Sequence, residues 1–345
     1  MYHVRVGEDR ELSVALGETI LDAAQRQGVA LAHSCRAGNC GSCKCRLVAG
    51  EVEMMPYSPF ALSAEERAKG VVLACRAVPW SDCAILPLVA EDLVMHPVRL
   101  LTTAVIAAER VAPAVCVLRL TILEGGPFLF SPGQYARVTL PGAPPRDFSM
   151  ASQPNAEELV FYIRLSPGGR AAEAIRAGLR PGDHVIVEGP YGTAYLREQD
   201  RRPLIAVAGG TGLAPVRAIV ERALMCDWPE PVHLYVGVRR RRDLFAEEAL
   251  AALAVRHPHF RFVPVLSDER VTGYRHGLVT EALAEDLASL AGHVAHIAGP
   301  PPMVEAARDL LLARGVAPAD IHADPFTPAG DEGDDRFLPC AGVRG

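Results

Sequence analysis

Four cysteines crowd one short stretch near the start of the chain, CRAGNCGSCKC at residues 35–45. The first three are separated by four and then two residues, and another cysteine follows much later. This spacing is typical of plant-type [2Fe–2S] ligation, in which two irons are held by four thiolates. Small residues in the stretch allow backbone N–H groups to point at the sulfurs and stabilise their negative charge. The sequence therefore predicts four iron ligands, which are Cys35, Cys40, Cys43 and Cys75.

Two other uses of the cysteines compete with this cluster. The first residues carry charges where a signal peptide would need an apolar block, so we predict a cytoplasmic protein whose nine cysteines stay reduced and form no disulfide framework. A zinc site usually combines two similar short knuckles, whereas only Cys40 and Cys43 form a C-x2-C pair here. Cys45 lies two residues beyond Cys43, where the emerging strand is predicted to turn its thiol away from the loop.

Charge and hydropathy exclude two classes of partner. The 35 basic and 41 acidic side chains give a net charge of −6, and they are spread evenly, so no part is typical of a nucleic-acid binder. The longest uncharged stretch, residues 287–304, contains two histidines and three consecutive prolines, which makes it a poor membrane span. We therefore expect neither nucleic acid nor a membrane as partner.

The apolar pattern divides the chain into three domains. Residues 1–92 alternate strand-like runs with one amphipathic segment, which predicts a small mixed α/β domain, and residues 93–98 follow as a linker. Residues 99–200 contain short β-type runs separated by glycine and proline, as in an antiparallel barrel. Residues 201–326 repeat strand, turn and helix, which predicts a doubly wound, five-stranded parallel sheet. Residues 327–345 lack periodicity and are predicted to be a disordered tail.

Two stretches of the predicted barrel suit a flavin nucleotide. The sequence PRDFSM places Arg146, Phe148 and Ser149 at a strand end. An arginine can neutralise a pyrophosphate, an aromatic ring can lie against the flavin, and a hydroxyl can hydrogen-bond a ring nitrogen, although these residues also suit an ordinary strand. Further on, Gly168 and Gly169 precede a helical segment, whose free N–H groups can bind phosphate.

The third domain opens with a glycine turn between a strand and a helix, AVAGGTGLAPV. Such a turn allows a dinucleotide pyrophosphate to approach the helix N-terminus. The turn lacks the full G-x-G-x-x-G pattern, and its position at the first strand-to-helix crossing is what favours nucleotide binding. The candidate residues are Gly209, Gly210, Thr211 and Gly212.

In this order, residues 1–326 resemble the ferredoxin–NAD(P)+ reductase superfamily with a fused N-terminal plant-type ferredoxin. Stretches such as HPVRL, GPYGTAYLR, GGTGLAPV and HADPF are similar to the reductase components of bacterial Rieske ring-hydroxylating oxygenases. The resemblance implies a β-grasp ferredoxin domain, an antiparallel FAD-binding β-barrel and a doubly wound nucleotide-binding domain. It also implies an enzyme that takes hydride from NAD(P)H onto FAD and passes single electrons through the cluster to a Rieske ferredoxin or a terminal oxygenase.

The resemblance also assigns roles to single residues. It implies that Arg146 contacts the flavin phosphate, that Phe148 covers the isoalloxazine face, and that Ser149 contacts flavin N5. It implies that the glycine turn at residues 209–212 binds NAD(P)H. Phe326 would be the aromatic ring near the flavin that nicotinamide displaces.

Several positions depart from the family pattern or leave a choice open. Phe148 replaces the usual tyrosine, Ala172 replaces a serine or threonine, and Ala298 replaces a cysteine and is predicted to leave room beside the nicotinamide. Arg239, which begins a run of four arginines after the second strand of the domain, could accept the 2′-phosphate of NADPH, whereas the family likeness favours NADH. The same domain order also serves reductases of soluble di-iron monooxygenases and of deoxysugar dehydratases, or a redox-sensing module without turnover.

Overall fold

A computed structural model describes residues 1–59, 61–88, 93–94 and 96–326. The predicted tail at residues 327–345 and part of the predicted linker at 93–98 lie outside the described residues, and the domain boundaries stay predictions. Within the described part of the chain, no helix is both long enough and apolar enough to cross a membrane.

The N-terminal part folds around a mixed five-stranded sheet in the order β2-β1-β7-β3-β5, beside a separate β4-β6 pair. Its central strands β1 and β7 are parallel, and the other pairs are antiparallel. Helix α1 begins after Thr19, whose side chain accepts a hydrogen bond from the Asp22 N–H, and packs its apolar face on the sheet. The elements are β1 (Tyr2–Val6), β2 (Arg10–Val14), α1 (Ile20–Arg26), β3 (Lys44–Ala49), β4 (Val52–Met54), α2 (Ala64–Ala68), β5 (Val71–Leu73), β6 (Ala77–Pro79) and β7 (Cys83–Pro87).

The middle part is a near-closed antiparallel barrel. Its six strands are β8 (Arg99–Ala112), β9 (Val115–Glu124), β10 (Tyr135–Thr139), β11 (Arg146–Ser149), β12 (Glu158–Arg164) and β13 (His184–Tyr191), in the order β11-β10-β13-β8-β9-β12. A bridge between Met150 and Phe161 joins the two ends of this order. One short helix, α3 (Arg170–Arg176), follows β12. This arrangement fits the predicted barrel.

The C-terminal part is a parallel sheet covered by helices on both faces. Its strands are β14 (Leu204–Gly209), β15 (Val232–Val238), β16 (Phe260–Leu266), β17 (Arg275–His276), β18 (Val294–Gly299) and β19 (Ile321–Pro325). Its helices are α4 (Leu213–Met225), α5 (Glu247–Arg256), α6 (Val279–Asp286) and α7 (Pro301–Ala313). The order β17-β16-β15-β14-β18-β19 is doubly wound, and the central strands β14 and β18 are wholly buried, as expected for a parallel sheet.

The predicted strand count of five was wrong, because the parallel sheet has six strands. The additional strand β17 contains only two residues, which pair with Val265 and Leu266 at one edge of the sheet. A strand of this length has no periodicity that a sequence pattern could reveal. The doubly wound topology itself does not change.

Candidate functional site

The cysteine loop between α1 and β3 brings its four predicted ligands together as two pairs. The Cys43 and Cys75 sulfurs lie 3.2 Å apart, and the thiols of Cys35 and Cys40 hydrogen-bond to each other. Two backbone donors also reach this site, from Asn39 to the Cys35 sulfur at 3.2 Å and from Ser42 to the Cys40 sulfur at 3.5 Å. The Cys35 thiol and the Ser42 donors lower the pKa of Cys40, so they favour its thiolate.

The pairing fits a dinuclear cluster. Each iron of a [2Fe–2S] centre takes two protein thiolates, and the loop offers two separate pairs of sulfurs. In the described residues, no three His, Cys, Asp or Glu side chains are grouped around a point that could hold one metal ion. The two sulfur pairs, with backbone N–H groups directed at them, fit the ligand set predicted for two irons.

Cys45 lies on β3 beside this site, yet it faces the domain core. Its sulfur is 3.7 Å from the carbonyl oxygen of Cys43, and burial raises the pKa of its thiol to about 12. On β3 it is paired with Val72 of β5, among buried apolar residues. The structure thus places Cys45 outside the two sulfur pairs.

The residues on either side of Cys35 contact the barrel. The backbone N–H of His33 donates to the Thr193 hydroxyl at 2.8 Å, and the Thr193 N–H donates to the His33 carbonyl at 2.6 Å. The Arg36 guanidinium is paired with Asp22 at 2.8 Å and lies over the ring of Tyr191, 5.3 Å from its centroid. The loop is therefore held against the end of β13 and the turn that follows it.

A buried carboxylate joins all three parts of the molecule beside this loop. Asp324 on β19 accepts a hydrogen bond from Ser34 at 2.8 Å and a longer one from Ser149 at 3.4 Å. Burial raises the pKa of this carboxyl group to about 6, although both hydroxyl donors oppose the shift. Sequence reasoning missed Ser34 and the role of Asp324, although Asp324 lies in the quoted stretch HADPF.

The predicted flavin residues lie on β11, next to this junction. Ser149 is buried, Phe148 is half-buried against the barrel core, and the half-buried Arg146 donates from Nη1 to the Pro145 carbonyl at 2.9 Å. Opposite Ser149 on β10 lies Tyr135, whose buried hydroxyl has no hydrogen-bond partner among the described residues. Such an unpaired buried group is costly, so a polar ligand here would satisfy it. The site fits a flavin ring with polar edges.

The phosphate assignment at Gly168 and Gly169 has less support. Gly168 has a positive φ of 70° and open space around it, and Gly169 caps α3 without a side-chain hydrogen bond. Ala172, in the first turn of α3, is buried in a small apolar cluster and offers no polar group. The two glycines therefore stay predicted ligands.

The glycine turn between β14 and α4 combines tight packing with open space. A Cβ on Gly212 would lie 2.1 Å from the Ala298 carbonyl oxygen, and one on Gly209 would lie 2.6 Å from the Met303 sulfur. Gly210 has a φ of 55°, and a Cβ there would meet nothing within 4 Å. Gly209 and Gly212 thus allow α4 and α7 to approach the sheet, while the turn at Gly210 and Thr211 stays open to a nucleotide.

Ala298 and Phe326 lie at the carboxyl ends of the neighbouring strands. The Phe326 N–H donates to the Gly299 carbonyl at 2.8 Å, and its ring packs against the core beside α4. Ala298 is only 2% exposed, and the cavity that it lines in the described structure measures about 10 Å³. Ala298 is therefore closely packed in the core beside α4, and the room predicted beside the nicotinamide stays a prediction.

Arg239 is exposed where β15 ends, and its carbonyl accepts from the Asp268 N–H at 2.8 Å. Arg241 is held on the surface by the Tyr274 hydroxyl at 2.7 Å from its Nε. Because the ribose of a bound dinucleotide lies beyond the second strand of such a sheet, this turn is positioned to meet it.

Comparison with known proteins agrees with the geometry. Residues 4–79 match the family described as 2Fe-2S iron-sulfur cluster binding domain, and residues 206–309 match the Oxidoreductase NAD-binding domain. The reductase component of the naphthalene 1,2-dioxygenase system of Pseudomonas putida is 38% identical over 323 residues, which cover 93% of this chain and 97% of that protein. A reductase component of Ralstonia sp naphthalene 1,2-dioxygenase/salicylate 5-hydroxylase systems is 40% identical over 322 residues, covering 92% and 96%.

A solved structure shows the same domain arrangement over the whole chain. The Amycolatopsis cytochrome P450 reductase GcoB is 38% identical with a TM-score of 0.81, over 96% of this chain and 100% of that one. Fold and site together define an oxidoreductase that joins an iron–sulfur domain to a nicotinamide-dependent reductase. The chain belongs to the family of ferredoxin–NAD(P)+ reductase components of oxygenase systems.

Proposed function

We propose that this protein takes hydride from NADH onto FAD and delivers single electrons through a [2Fe–2S] cluster to a Rieske ferredoxin or to the terminal oxygenase of an aromatic ring-hydroxylating system. The observation that carries the proposal is the contact of the Cys35 loop with the barrel, because it brings the paired thiols next to Ser149. A two-electron donor and a one-electron acceptor need a carrier that handles both, and flavin supplies this chemistry when bound.

The chain's own residues hold and orient these groups. The four thiolates of Cys35, Cys40, Cys43 and Cys75 hold the irons, and the Asn39 and Ser42 N–H groups stabilise their charge. On the barrel, Arg146 would neutralise phosphate, Phe148 would cover the ring, and the Ser149 hydroxyl, whose proton is directed at Asp324, would contact its reactive edge. Gly168 and Gly169 offer N–H groups to the pyrophosphate.

The parallel sheet binds the coenzyme. The turn at Gly209, Gly210, Thr211 and Gly212 approaches its pyrophosphate, and Arg239 lies near its ribose. The ring of Phe326 covers the flavin until nicotinamide replaces it. No general acid or base is needed, because hydride transfer requires close approach and orientation.

The choice of partner rests on the relatives. The two dioxygenase reductases named above cover nearly the whole chain, which supports an aromatic ring-hydroxylating system. A cytoplasmic location is part of the same proposal. A second candidate has support from reductase components of propane 2-monooxygenase, at 36% identity in Mycolicibacterium goodii, and of phenol 2-monooxygenase, at 35% identity in Pseudomonas sp.. In that case the acceptor would be a monooxygenase component.

A visible spectrum followed by anaerobic addition of NADH tests the core of the proposal. We expect flavin and iron–sulfur absorption in the purified protein and rapid bleaching of both by NADH. Slow bleaching would instead support a redox-sensing module, and a colourless protein that stays colourless after iron–sulfur reconstitution and FAD addition would contradict the proposal. Reduction of candidate ferredoxin and oxygenase components by the same enzyme then separates the two systems.

A further inference from the structure

Asp324 is the one buried carboxylate among the described residues that contacts side chains from both of the other domains. Its two oxygens accept from Ser34 at 2.8 Å and Ser149 at 3.4 Å, across 290 and 175 residues of sequence. All three side chains are nearly inaccessible, with exposed fractions of 9% for Asp324, 2% for Ser34 and 6% for Ser149. A buried carboxylate is costly unless hydrogen bonds satisfy it, so this position constrains all three domains together.

Ser34 connects this carboxylate to the iron site through the backbone. It immediately precedes Cys35, and the residues around it, His33 and Arg36, make the other contacts with the barrel. Three anchors flank the Cys35 thiol, two on the barrel and one on β19, and together they fix its position relative to both domains. The Cys35 and Cys40 pair therefore faces the flavin site, and the Cys43 and Cys75 pair lies deeper in the ferredoxin core.

Ser149 lies at the other end of this series of contacts, on the flavin side. It lies on β11 opposite Tyr135, whose buried hydroxyl is unpaired, and this position is where the proposed function places the reactive edge of the flavin. The contacts run from Ser149 to Asp324, then to Ser34 and by covalent bonds to Cys35. Only two hydrogen bonds separate the flavin-contacting hydroxyl from an iron ligand.

We propose that Ser34 and Asp324 form a positioning pair that holds the Cys35 side of the cluster against the flavin site and so sets the rate of electron transfer from flavin to cluster. The inference rests on the proposed function, since it needs both groups to be bound. It assigns electron entry to the Cys35 and Cys40 side of the cluster. Neither residue exchanges electrons itself.

Stopped-flow spectroscopy of the holoenzyme mixed with NADH separates the steps. In Ser34→Ala, we expect flavin reduction within about twofold of wild type and cluster reduction slowed by about fivefold or more. Ser34→Thr keeps the hydroxyl and should recover most of the rate. Ser13→Ala, on edge strand β2, is the matched control and should change neither step. Asp324→Asn keeps one acceptor oxygen and replaces the other with an NH2 donor, so it should also slow cluster reduction.

Two further readouts exclude a general structural effect. Cluster content, EPR spectrum and midpoint potential should match wild type in Ser34→Ala, while hydrogen exchange of the 31–43 loop and of β19 should become faster. Unchanged cluster reduction in Ser34→Ala and Asp324→Asn would overturn the inference, as would an equal loss in Ser13→Ala. If wild-type protein carries no flavin or cluster, or is not reduced by NADH, the proposed function itself is contradicted. That result can be told apart from failure of the inference, which would appear only in the variants.

Discussion

Cys45 and Cys75 differ in where the local backbone directs their sulfurs, since Cys45 lies on strand β3 and Cys75 lies in the turn between β5 and β6. Both are buried, but only the Cys75 sulfur contacts another ligand thiol, at 3.2 Å from Cys43. Cys45 alternates with Lys44 along β3, so its side chain enters the core on the opposite face. Spacing along the sequence can predict a ligand set because loop and strand geometry are local properties.

Serine substitutions test this assignment. Cys45→Ser should keep the iron–sulfur spectrum and cost about 1–3 kcal/mol of stability, because it buries a hydroxyl in an apolar site. Cys75→Ser should lose the spectrum or strongly alter it. Visible absorption and iron content measure both. Loss of the cluster in Cys45→Ser together with its retention in Cys75→Ser would show that the ligand set is wrong.

Ala298 is packed in a way that its position in the sequence does not reveal. The small side chain suggests a space, but Ala298 is 2% exposed within the core beside α4, and packing depends on residues distant in sequence. We therefore expect Ala298→Cys to overpack the core and to cost about 1–3 kcal/mol of stability. Thermal unfolding measures this, with Ala291→Cys at an exposed site as control. Faster flavin reduction with unchanged stability would contradict the expectation.

At the scale of elements, regular segments were predictable and contacts between them were not. The barrel strands and the strand-and-helix repeats follow from periodicity and from glycine and proline punctuation. The two-residue strand β17 and the Asp324 junction have no local signal, since Ser34 and Asp324 are 290 residues apart. The candidate ligands of each cofactor were thus predictable one domain at a time, but the way the domains meet was not.

The turn after β15 is where we expect the enzyme to distinguish NADH from NADPH. Its arginines could accept a 2′-phosphate, yet Arg241 is already held by Tyr274 and lies 3.8 Å from Glu247, which reduces its availability. We expect NADH to be preferred. The kcat/KM values for the two coenzymes measure this preference. A ratio favouring NADPH by about tenfold, or ~1.4 kcal/mol, would reverse the conclusion.

Arg239→Ala then identifies the side chain involved. If Arg239 contacts the ribose region, the variant should lower kcat/KM for NADPH more than for NADH, because only NADPH carries the additional charge. Arg256→Ala, at the end of α5, serves as the control on the same domain. Equal effects of Arg239→Ala on both coenzymes would remove Arg239 from the specificity site.

At the scale of the whole molecule, buried histidines make the interfaces sensitive to acid. His296 on β18 and His322 on β19 stack with ring centroids 4.7 Å apart, near Arg197 from the barrel side. Burial lowers the pKa of His322 to about 4 and that of His296 well below its usual value. Arg197 acts in the same direction on both, and the His322 ring does so on His296. The unfolded chain therefore binds more protons than the folded chain below about pH 6.5, and stability falls as pH decreases toward 4.

Acidification should thus lower the unfolding temperature, and His322→Gln should weaken this dependence. Between about pH 7 and pH 5, the titration of His322 lowers the free energy of unfolding by ~2 kcal/mol. Asp324 acts in the opposite direction, because its raised pKa of about 6 makes the folded state bind a proton first. Scanning calorimetry of both proteins at several pH values measures the difference. Identical pH profiles would show that His322 does not titrate in this range.

The order of electron flow predicts a division of activities between the domains. Hydride acceptance needs only the barrel and the parallel sheet, whereas electrons leave through the cluster held by the N-terminal loop. Cys43→Ser should keep NADH-dependent reduction of ferricyanide, a small acceptor that reaches the flavin, within about twofold. Reduction of cytochrome c, a one-electron protein acceptor, should fall by about tenfold or more, because Ser149 and Asp324 lie buried beneath the loop and no protein acceptor can approach them directly.

The control is Cys116→Ser, which removes the thiol of a buried cysteine of the barrel that is not a predicted ligand. Full cytochrome c reduction by a Cys43→Ser protein that lacks the iron–sulfur spectrum would mean that electrons leave from the flavin, and the route through Cys35 and Ser34 would have to be abandoned.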